Sequence, residues 1–265
     1  MRERKRRRCG CRRGFVSSDC RIAVVRCFGA RFWGTHCTRF SWIGAPERGE
    51  RARLGEPGLV HREIRAEVIG LGRELLSRFD REGRLEDQRF LAVSPTGTGK
   101  SEMVRSLLRE RLRSRGRGFY VVMSDYADIV AQLSREVEAI HRGGGGVEAL
   151  PVRIVRWDGG RRQGSDAADL AALKALVDES PVPVVLVTTA ASFRMQLKAE
   201  QVEGTRGEES EFAIAPKDLE SLREMLKYWV YDEAHHAGAM QIGRILEGAL
   251  EGTRDAAALF VTATP

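Results

Sequence analysis

One short segment of this 265-residue sequence combines glycine, lysine and serine at a spacing that suits phosphate binding. Residues 94–101 read Ser-Pro-Thr-Gly-Thr-Gly-Lys-Ser. Gly97 and Gly99 allow backbone N–H groups to close on an anion without a side-chain clash. Lys100 can reach the outer phosphates of a nucleotide, and the Ser101 hydroxyl can hold Mg2+. The strict pattern has glycine at its first position, where this sequence has serine.

A pair of carboxylates follows an apolar run near the end of the chain. Residues 228–231 are apolar, and Asp232 and Glu233 come directly after them. Asp232 is suited to hold the Mg2+ that Ser101 also contacts, directly or through water. Glu233 can polarise an attacking water molecule as a general base. Together with the phosphate loop, the pair predicts a site for a metal-bound nucleoside triphosphate, with Lys100 and Glu233 as its catalytic residues.

The pattern of apolar residues predicts how these motifs are positioned. From residue 59 onward, helical spacings alternate with short continuous apolar runs that are typical of buried strands. The predicted strands are 89–94, 119–124, 152–157, 183–189, 228–231 and 258–262, and the predicted helices are 60–79, 101–113, 126–140, 166–178, 219–226 and 238–250. Residues 198–216 are polar and aperiodic and are predicted to be a mobile insertion. This alternation predicts an α/β fold with a mostly parallel sheet and helices on both faces. Ligands of such sheets bind at the carboxyl ends of the strands, where both motifs fall.

Composition divides the chain into two parts near residue 56. Residues 1–56 carry 15 basic and 5 acidic side chains, whereas the rest carries 29 and 32, so the net charge of +7 comes entirely from the first part. All five cysteines also lie within the first 37 residues. A content of 42% hydrophobic and 31% charged residues excludes a mainly disordered chain and a disulfide scaffold. No apolar run is long enough to cross a membrane.

Residues 1–56 allow three interpretations, which the sequence leaves open. They are a basic arm that binds nucleic acid, a small zinc site, or an extension that is expected to be disordered. The zinc ligands would be Cys9, Cys11, Cys20, Cys27, His36 and Cys37, whose spacings match no usual zinc template. The odd number of cysteines favours a reducing compartment, and we expect a cytoplasmic protein. Residues 57–265 are predicted to form the folded domain.

Three motifs in this order resemble those of a known enzyme family. They are S-P-T-G-T-G-K-S, then D-E-A-H-H at 232–236, then V-T-A-T-P at 261–265. They resemble the first motor domain of superfamily-two DEAD/DEAH-box helicases and translocases, in particular the restriction-enzyme motor subunits. The resemblance covers about residues 85–265 and implies a RecA-like P-loop NTPase domain that binds ATP and Mg2+, hydrolyses ATP and acts on nucleic acid, DNA rather than RNA.

The resemblance also assigns roles to individual residues. The nucleotide-binding residues would be Thr96, Gly97, Thr98, Gly99, Lys100 and Ser101, and the metal ligands Ser101 and Asp232. His235, Thr262 and Thr264 would couple the ATP site to nucleic acid. Residues 119–132 and 184–193 resemble segments that touch the nucleic-acid backbone, with Thr188 and Thr189 as candidate phosphate contacts. Both segments are equally well explained as core strands with their helices.

Two features depart from the family pattern. The aromatic and glutamine element that reads adenine is not identified, because Gln88 lies too close to the first strand of the domain. Motors of this family also have a second RecA-like domain, which supplies arginine side chains to the γ-phosphate. We expect that domain to be missing from this chain, which would then be poorly active alone. A separately encoded motor domain, or nuclease or methylase subunits, are the expected partners, and no membrane is expected. The alternative is a non-catalytic fragment or a nucleic-acid-binding adaptor that acts through the basic arm.

Overall fold

The computed structural model describes residues 23–27, 40–43, 57–82, 89–93, 99–143, 148–157, 167, 169–196, 222–234 and 255–263. These residues form strands and helices that alternate along most of the chain. The elements are β1 (Ala23–Cys27), β2 (Phe40–Ile43), α1 (Pro57–Glu82), β3 (Arg89–Val93), α2 (Lys100–Arg115), β4 (Phe119–Ser124), α3 (Ala127–Arg142), β5 (Arg153–Trp157), α4 (Leu170–Glu179), β6 (Val184–Thr189), β7 (Leu226–Asp232) and β8 (Ala257–Thr262).

A single sheet contains all eight strands, in the order β2-β1-β3-β8-β7-β4-β6-β5. The six strands β3 to β8 are parallel to one another. Every residue of β4, β6 and β8 is buried, as expected for parallel strands that are covered on both faces. The predicted α/β fold with a mostly parallel sheet is therefore confirmed.

Helices cover the two faces of the sheet and form two separate cores. On one face α1, α2 and α3 pack against alternate strand residues such as Tyr120 and Val122 of β4. On the other face α4 and the helical residues 190–196 pack against the intervening positions, such as Val121 and Met123. Because successive strand residues point to opposite faces, each strand contributes to both cores.

The predicted strands of the domain agree with the observed ones to within two residues at each end. The predicted helix 219–226 extends one residue too far at its end, because residues 222–225 are helical and β7 already begins at Leu226. The run from Leu226 to Asp232 is apolar and enters the middle of the sheet, where burial outweighs local helix preference. The predicted insertion 198–216 and the predicted helix 238–250 lie outside the described residues. Among the described helices, none has the length and apolar character to span a membrane.

Strands β1 and β2 lie in the basic N-terminal part, where the sequence analysis assigned no strand. They pair antiparallel with each other, and β1 also pairs antiparallel with β3 at the edge of the sheet. Strands of five and four residues carry little periodicity of their own, and they are stabilised by the sheet edge that they join. The other residues of 1–56 lie outside the described part, so the disorder expected there stays a prediction.

A buried arginine joins α1, α2 and β7 to the residues before β8, at the end of the sheet where β7 and β8 begin. Arg111 of α2 is fully buried, and its guanidinium donates to the carboxylate of Asp80 at the end of α1. It also donates to the backbone carbonyls of Lys227, at 3.3 Å, and Asp255, at 3.0 Å. The guanidinium lies 5.8 Å from the centre of the Phe79 ring. A buried guanidinium is tolerated because its donors are used in this way.

Replacing Arg111 with methionine should destabilise the fold. Arg111→Met keeps the bulk but leaves two backbone carbonyls without a donor, so the free energy of unfolding should fall by about 2–4 kcal/mol. Arg115→Met is the matched control, because Arg115 also pairs with Asp80 but is partly exposed. The free energy of unfolding of Arg115→Met should fall by less than about 1 kcal/mol. Urea denaturation measures both variants, and equal losses would contradict the anchoring role of Arg111.

Candidate functional site

Helix α2 begins at the residues that form the end of the predicted phosphate loop. Gly99 precedes the helix in a left-handed conformation, with φ 88° and ψ 36°, and its carbonyl accepts a hydrogen bond from the Met103 N–H at 3.1 Å. Lys100 and Ser101 are the first two residues of α2, at the positive end of the helix dipole. The other predicted members of the loop, Thr96, Gly97 and Thr98, lie outside the described residues.

A side chain from α1 lies directly against Gly99. A Cβ atom added to Gly99 would come within 2.8 Å of Nη1 and 3.0 Å of Cδ of Arg65. The positive φ is the reason that glycine is needed here, because the end of the flexible Arg65 side chain could move away from an added Cβ atom. Arg65 brings a guanidinium to the start of α2, and the sequence analysis gave it no role. Its helical spacing in α1 indicates only an amphipathic helix, so no local signal could have found it.

Strand β7 delivers Asp232 to the same edge of the sheet. Asp232 is its last residue, only 5% exposed, and one of its carboxylate oxygens accepts the Glu233 N–H at 2.9 Å. Burial raises the pKa of Asp232 to about 6, because it removes the carboxylate from water. The hydrogen bond from Glu233 and the charge of Lys100 lower the pKa, but by less than burial raises it.

Glu233 and Lys100 form an ion pair that joins the two sequence motifs. Glu233 has φ 58°, a left-handed conformation that costs a residue with a side chain about 1–2 kcal/mol. Its Oε1 atom lies 3.7 Å from Nζ of Lys100, and the two side chains are only 18% and 11% exposed. The predicted catalytic pair is therefore brought together at the carboxyl edge of the sheet. Such strain is typical of functional positions.

Gln132 of α3 supplies a further contact to this edge. Its Nε2 donates a hydrogen bond of 2.6 Å to Oγ of Ser101. Gln132 belongs to the segment 119–132 that resembles a nucleic-acid contact, and nothing in the sequence connects it to Ser101. The two residues are on different helices, so only the packing of α3 beside α2 reveals the bond.

The predicted coupling residues are only partly described. Thr262 is the last residue of β8, and it is only 2% exposed. It pairs with Val93 of β3, and β8 lies between β3, which precedes the phosphate loop, and β7, which ends at Asp232. His235 and Thr264 lie outside the described residues.

The hydroxyl groups of Thr188 and Thr189 are used inside the protein. The Thr188 hydroxyl is fully buried and donates to the backbone carbonyl of Thr189 at 3.0 Å. The Thr189 hydroxyl donates to the Ser192 hydroxyl at 2.8 Å and accepts from the Ser192 N–H at 3.0 Å. This geometry favours core positions over phosphate contacts for both residues.

The oxygen atoms at this edge fit a magnesium ion. Mg2+ prefers oxygen ligands, and one or two carboxylates are enough when substrate phosphates supply the others. The hydroxyl of Ser101 and the buried carboxylate of Asp232 are donors of this kind. The part of the chain that the structure describes holds no cluster of three or more His, Cys, Asp or Glu side chains that could bind a metal alone. The side chains of the hypothetical zinc site lie outside that part.

The chain is similar to several known proteins. The sequence model described as "DEAD/DEAH box helicase" matches residues 82–265. No curated protein matches the sequence. Matching solved structures include the UvsW helicase from bacteriophage T4, with 14% identity and a TM-score of 0.40, over 71% of this chain and 51% of that chain. They also include a nuclease-deletion mutant of the Type ISP restriction-modification enzyme LlaGI in complex with a DNA substrate mimic, with 13% identity and a TM-score of 0.38, over 66% of this chain and 15% of that chain. The chain thus spans about half of the first structure and a small part of the second.

The raised pKa of Asp232 should appear in the pH dependence of folding. Between about pH 4 and pH 6 the folded chain holds a proton that the unfolded chain releases, so this group lowers the free energy of unfolding as pH rises. Asp232→Asn cannot titrate. The free energy of unfolding of this variant, relative to that of the wild type, should therefore rise by roughly 2–3 kcal/mol from pH 4 to pH 7. Urea denaturation in EDTA measures this difference, and a pH-independent value would contradict the shift.

The left-handed conformation of Glu233 can be tested with two substitutions that both remove the carboxylate. Glu233→Gly and Glu233→Ala lose the ion pair with Lys100 equally, so a difference between them reports the backbone strain. The glycine variant should be more stable by about 1 kcal/mol, because glycine adopts positive φ without a steric penalty. Denaturation midpoints measure the difference. An alanine variant as stable as the glycine variant would show that the backbone relaxes.

Proposed function

This chain belongs to the DEAD/DEAH box helicase family, and from that premise we propose that residues 57–265 form an ATP-binding motor domain that hydrolyses ATP and acts on nucleic acid. The observation that carries the proposal is the Lys100–Glu233 ion pair at the carboxyl edge of the parallel sheet. It combines a cation for phosphate binding at a helix start with a carboxylate one residue from a buried aspartate. This is the arrangement that a phosphoryl-transfer site needs.

Each group at the edge has a separate task in this proposal. Lys100 exchanges its partner Glu233 for the β- and γ-phosphates of ATP, aided by the positive end of α2. The exchange releases the Glu233 carboxylate to accept a proton from the attacking water molecule. Ser101 and Asp232 would hold Mg2+, which would supply positive charge against the phosphates. Asp232 must be ionised for this, so metal binding should weaken below about pH 6.

Nucleic acid is the proposed partner, and DNA the preferred one. The end of β4 and the start of α3 lie at the same edge as the ATP site, and Tyr126 between them is 48% exposed. An exposed aromatic ring is suited to stack on a base. Thr262, together with His235 and Thr264, would transmit the state of the ATP site to the nucleic acid. We place the protein in the cytoplasm on the grounds of its cysteine composition.

Full hydrolytic activity is proposed to need a second RecA-like domain, from another part of a longer protein or from a separate chain. In this family such a domain supplies arginine side chains to the transferring phosphate, a contribution worth about 10³–10⁵ in rate. The 265 residues therefore should bind ATP and hydrolyse it slowly. Nuclease or methylase subunits are further candidate partners.

Removing the Lys100 ammonium group should abolish most nucleotide binding. Lys100→Ala deletes the proposed phosphate contact, and the affinity for a fluorescent ATP analogue in Mg2+ should fall at least about 30-fold. Lys174→Ala is the matched control, because Lys174 pairs with Asp178 on α4, on the other face of the sheet. The affinity of Lys174→Ala for the ATP analogue should equal that of the wild type. Fluorescence titration of the full chain measures all three proteins.

The same proteins test hydrolysis. Turnover by the wild-type chain should be slow with or without DNA, and Lys100→Ala should remove it. An unchanged affinity of Lys100→Ala would refute the nucleotide site. Rapid DNA-stimulated turnover by this chain alone would refute the need for a second domain while leaving the ATP site intact.

A further inference from the structure

Strand β4 and helix α3 together span residues 119–142. They lie next to β7 and α2, the two elements that carry the proposed metal-binding side chains. Gln132 lies between the first and second turns of α3, and its amide nitrogen is 2.6 Å from Oγ of Ser101 at the start of α2. The two residues are 31 positions apart in sequence. We call residues 119–142 the β4–α3 unit.

The direction of this hydrogen bond leaves Ser101 able to bind a cation. A serine hydroxyl has two acceptor lone pairs and one proton. Gln132 donates to one lone pair, so the second lone pair stays available to a cation and the proton stays available to an acceptor. A hydroxyl without such a donor rotates among several orientations. Gln132 therefore selects the orientation of the Ser101 oxygen before any ligand arrives.

The same unit places a second hydroxyl beside Asp232. Ser124 is the last residue of β4 and pairs with Asp232 of β7. Two residues earlier on each strand, Val122 and Val230 lie in the same core, so strand alternation directs Ser124 and Asp232 to that face as well. Ser124 is fully buried, and its Oγ has no hydrogen-bond partner in the described part of the protein. A hydroxyl buried without a partner costs about 1–3 kcal/mol, which a bound water molecule would recover.

A third contact fixes the junction of the unit to β7. The Tyr231 hydroxyl donates to the Asp125 carboxylate at 2.9 Å, and Tyr231 immediately precedes Asp232. The next residue of the junction is the exposed Tyr126. The β4–α3 unit thus contacts Ser101, lies beside Asp232 and presents an aromatic ring to solvent.

We propose that the β4–α3 unit is the positioning element of the magnesium site, with Gln132 orienting Ser101 and Ser124 offering its hydroxyl to a water molecule next to Asp232. Neither residue is a catalytic residue, because each acts through a neighbouring ligand. The inference rests on the proposed function, since it assumes that Ser101 and Asp232 hold Mg2+. It adds two residues whose roles the motifs themselves do not indicate.

A double-mutant cycle tests the role of Gln132. The affinity for a fluorescent ATP analogue is measured in Mg2+ and in EDTA, and the dissociation constant in EDTA divided by that in Mg2+ reports the contribution of the metal. Gln132→Ala should lower this ratio about three- to tenfold and leave the affinity in EDTA unchanged. In a Ser101→Ala background it should have no further effect, because the hydrogen bond is already absent. Arg142→Ala, at the exposed far end of α3, is the control.

A pair of serine substitutions tests the role of Ser124. Ser124→Ala should lower the same ratio without lowering the free energy of unfolding of the metal-free protein, because the deleted hydroxyl has no partner there. Ser134→Ala is the matched control, since Ser134 is equally buried and its hydroxyl is equally unpaired in the described part, but it lies within α3. It should leave the ratio unchanged.

The outcomes separate this inference from the proposed function. If the wild type does not bind the analogue, or Lys100→Ala binds it equally well, both proposals fail. If Lys100→Ala loses binding as expected and Gln132→Ala keeps the wild-type ratio, only the positioning role fails. An equal effect of Gln132→Ala with and without the Ser101 hydroxyl would also overturn it, because that result indicates a general change in α3.

Discussion

All six strands β3 to β8 end at the same edge of the sheet, because they are parallel to one another. Along this edge Asp232 of β7 pairs with Ser124 of β4 on one side and with Val261 of β8 on the other. Thr262 follows and pairs with Val93, after which the chain leads to α2. The Lys100–Glu233 ion pair can form only because this register aligns the end of β7 with the start of α2. A shift by one residue would turn Asp232 to the opposite face.

Three energetically unfavourable features lie at this edge. Asp232 is a buried carboxylate with a raised pKa, Glu233 has a left-handed backbone, and the Ser124 hydroxyl lacks a partner in the described part. At the other end Arg111 uses its donors on three different groups. A cation would relieve the cost of the buried Asp232 carboxylate, and a water molecule beside it would relieve that of the Ser124 hydroxyl.

Most of the fold could be predicted because parallel strands are continuous apolar runs. The run at 184–189 and the run at 119–124 are recognisable without any partner, since they are buried on both faces. The edge strands β1 and β2 could not be predicted, because they are short and are stabilised by an edge that exists only after folding. The helix predicted to 226 was too long for a related reason. Its last residue is taken into a central strand, and burial there outweighs local preference.

The sequence by itself determined the local chemistry of the site. Glycine at 99 allows a left-handed turn, and the lysine and serine that follow must then begin the helix, because these relations involve adjacent residues only. The two carboxylates at 232 and 233 are likewise set by their place after an apolar strand. Tertiary structure alone decided that Arg65 lies on Gly99 and that Gln132 bonds to Ser101. Those contacts join separate helices, and their geometry depends on the strand order and on how the helices pack across the sheet, which no local spacing records.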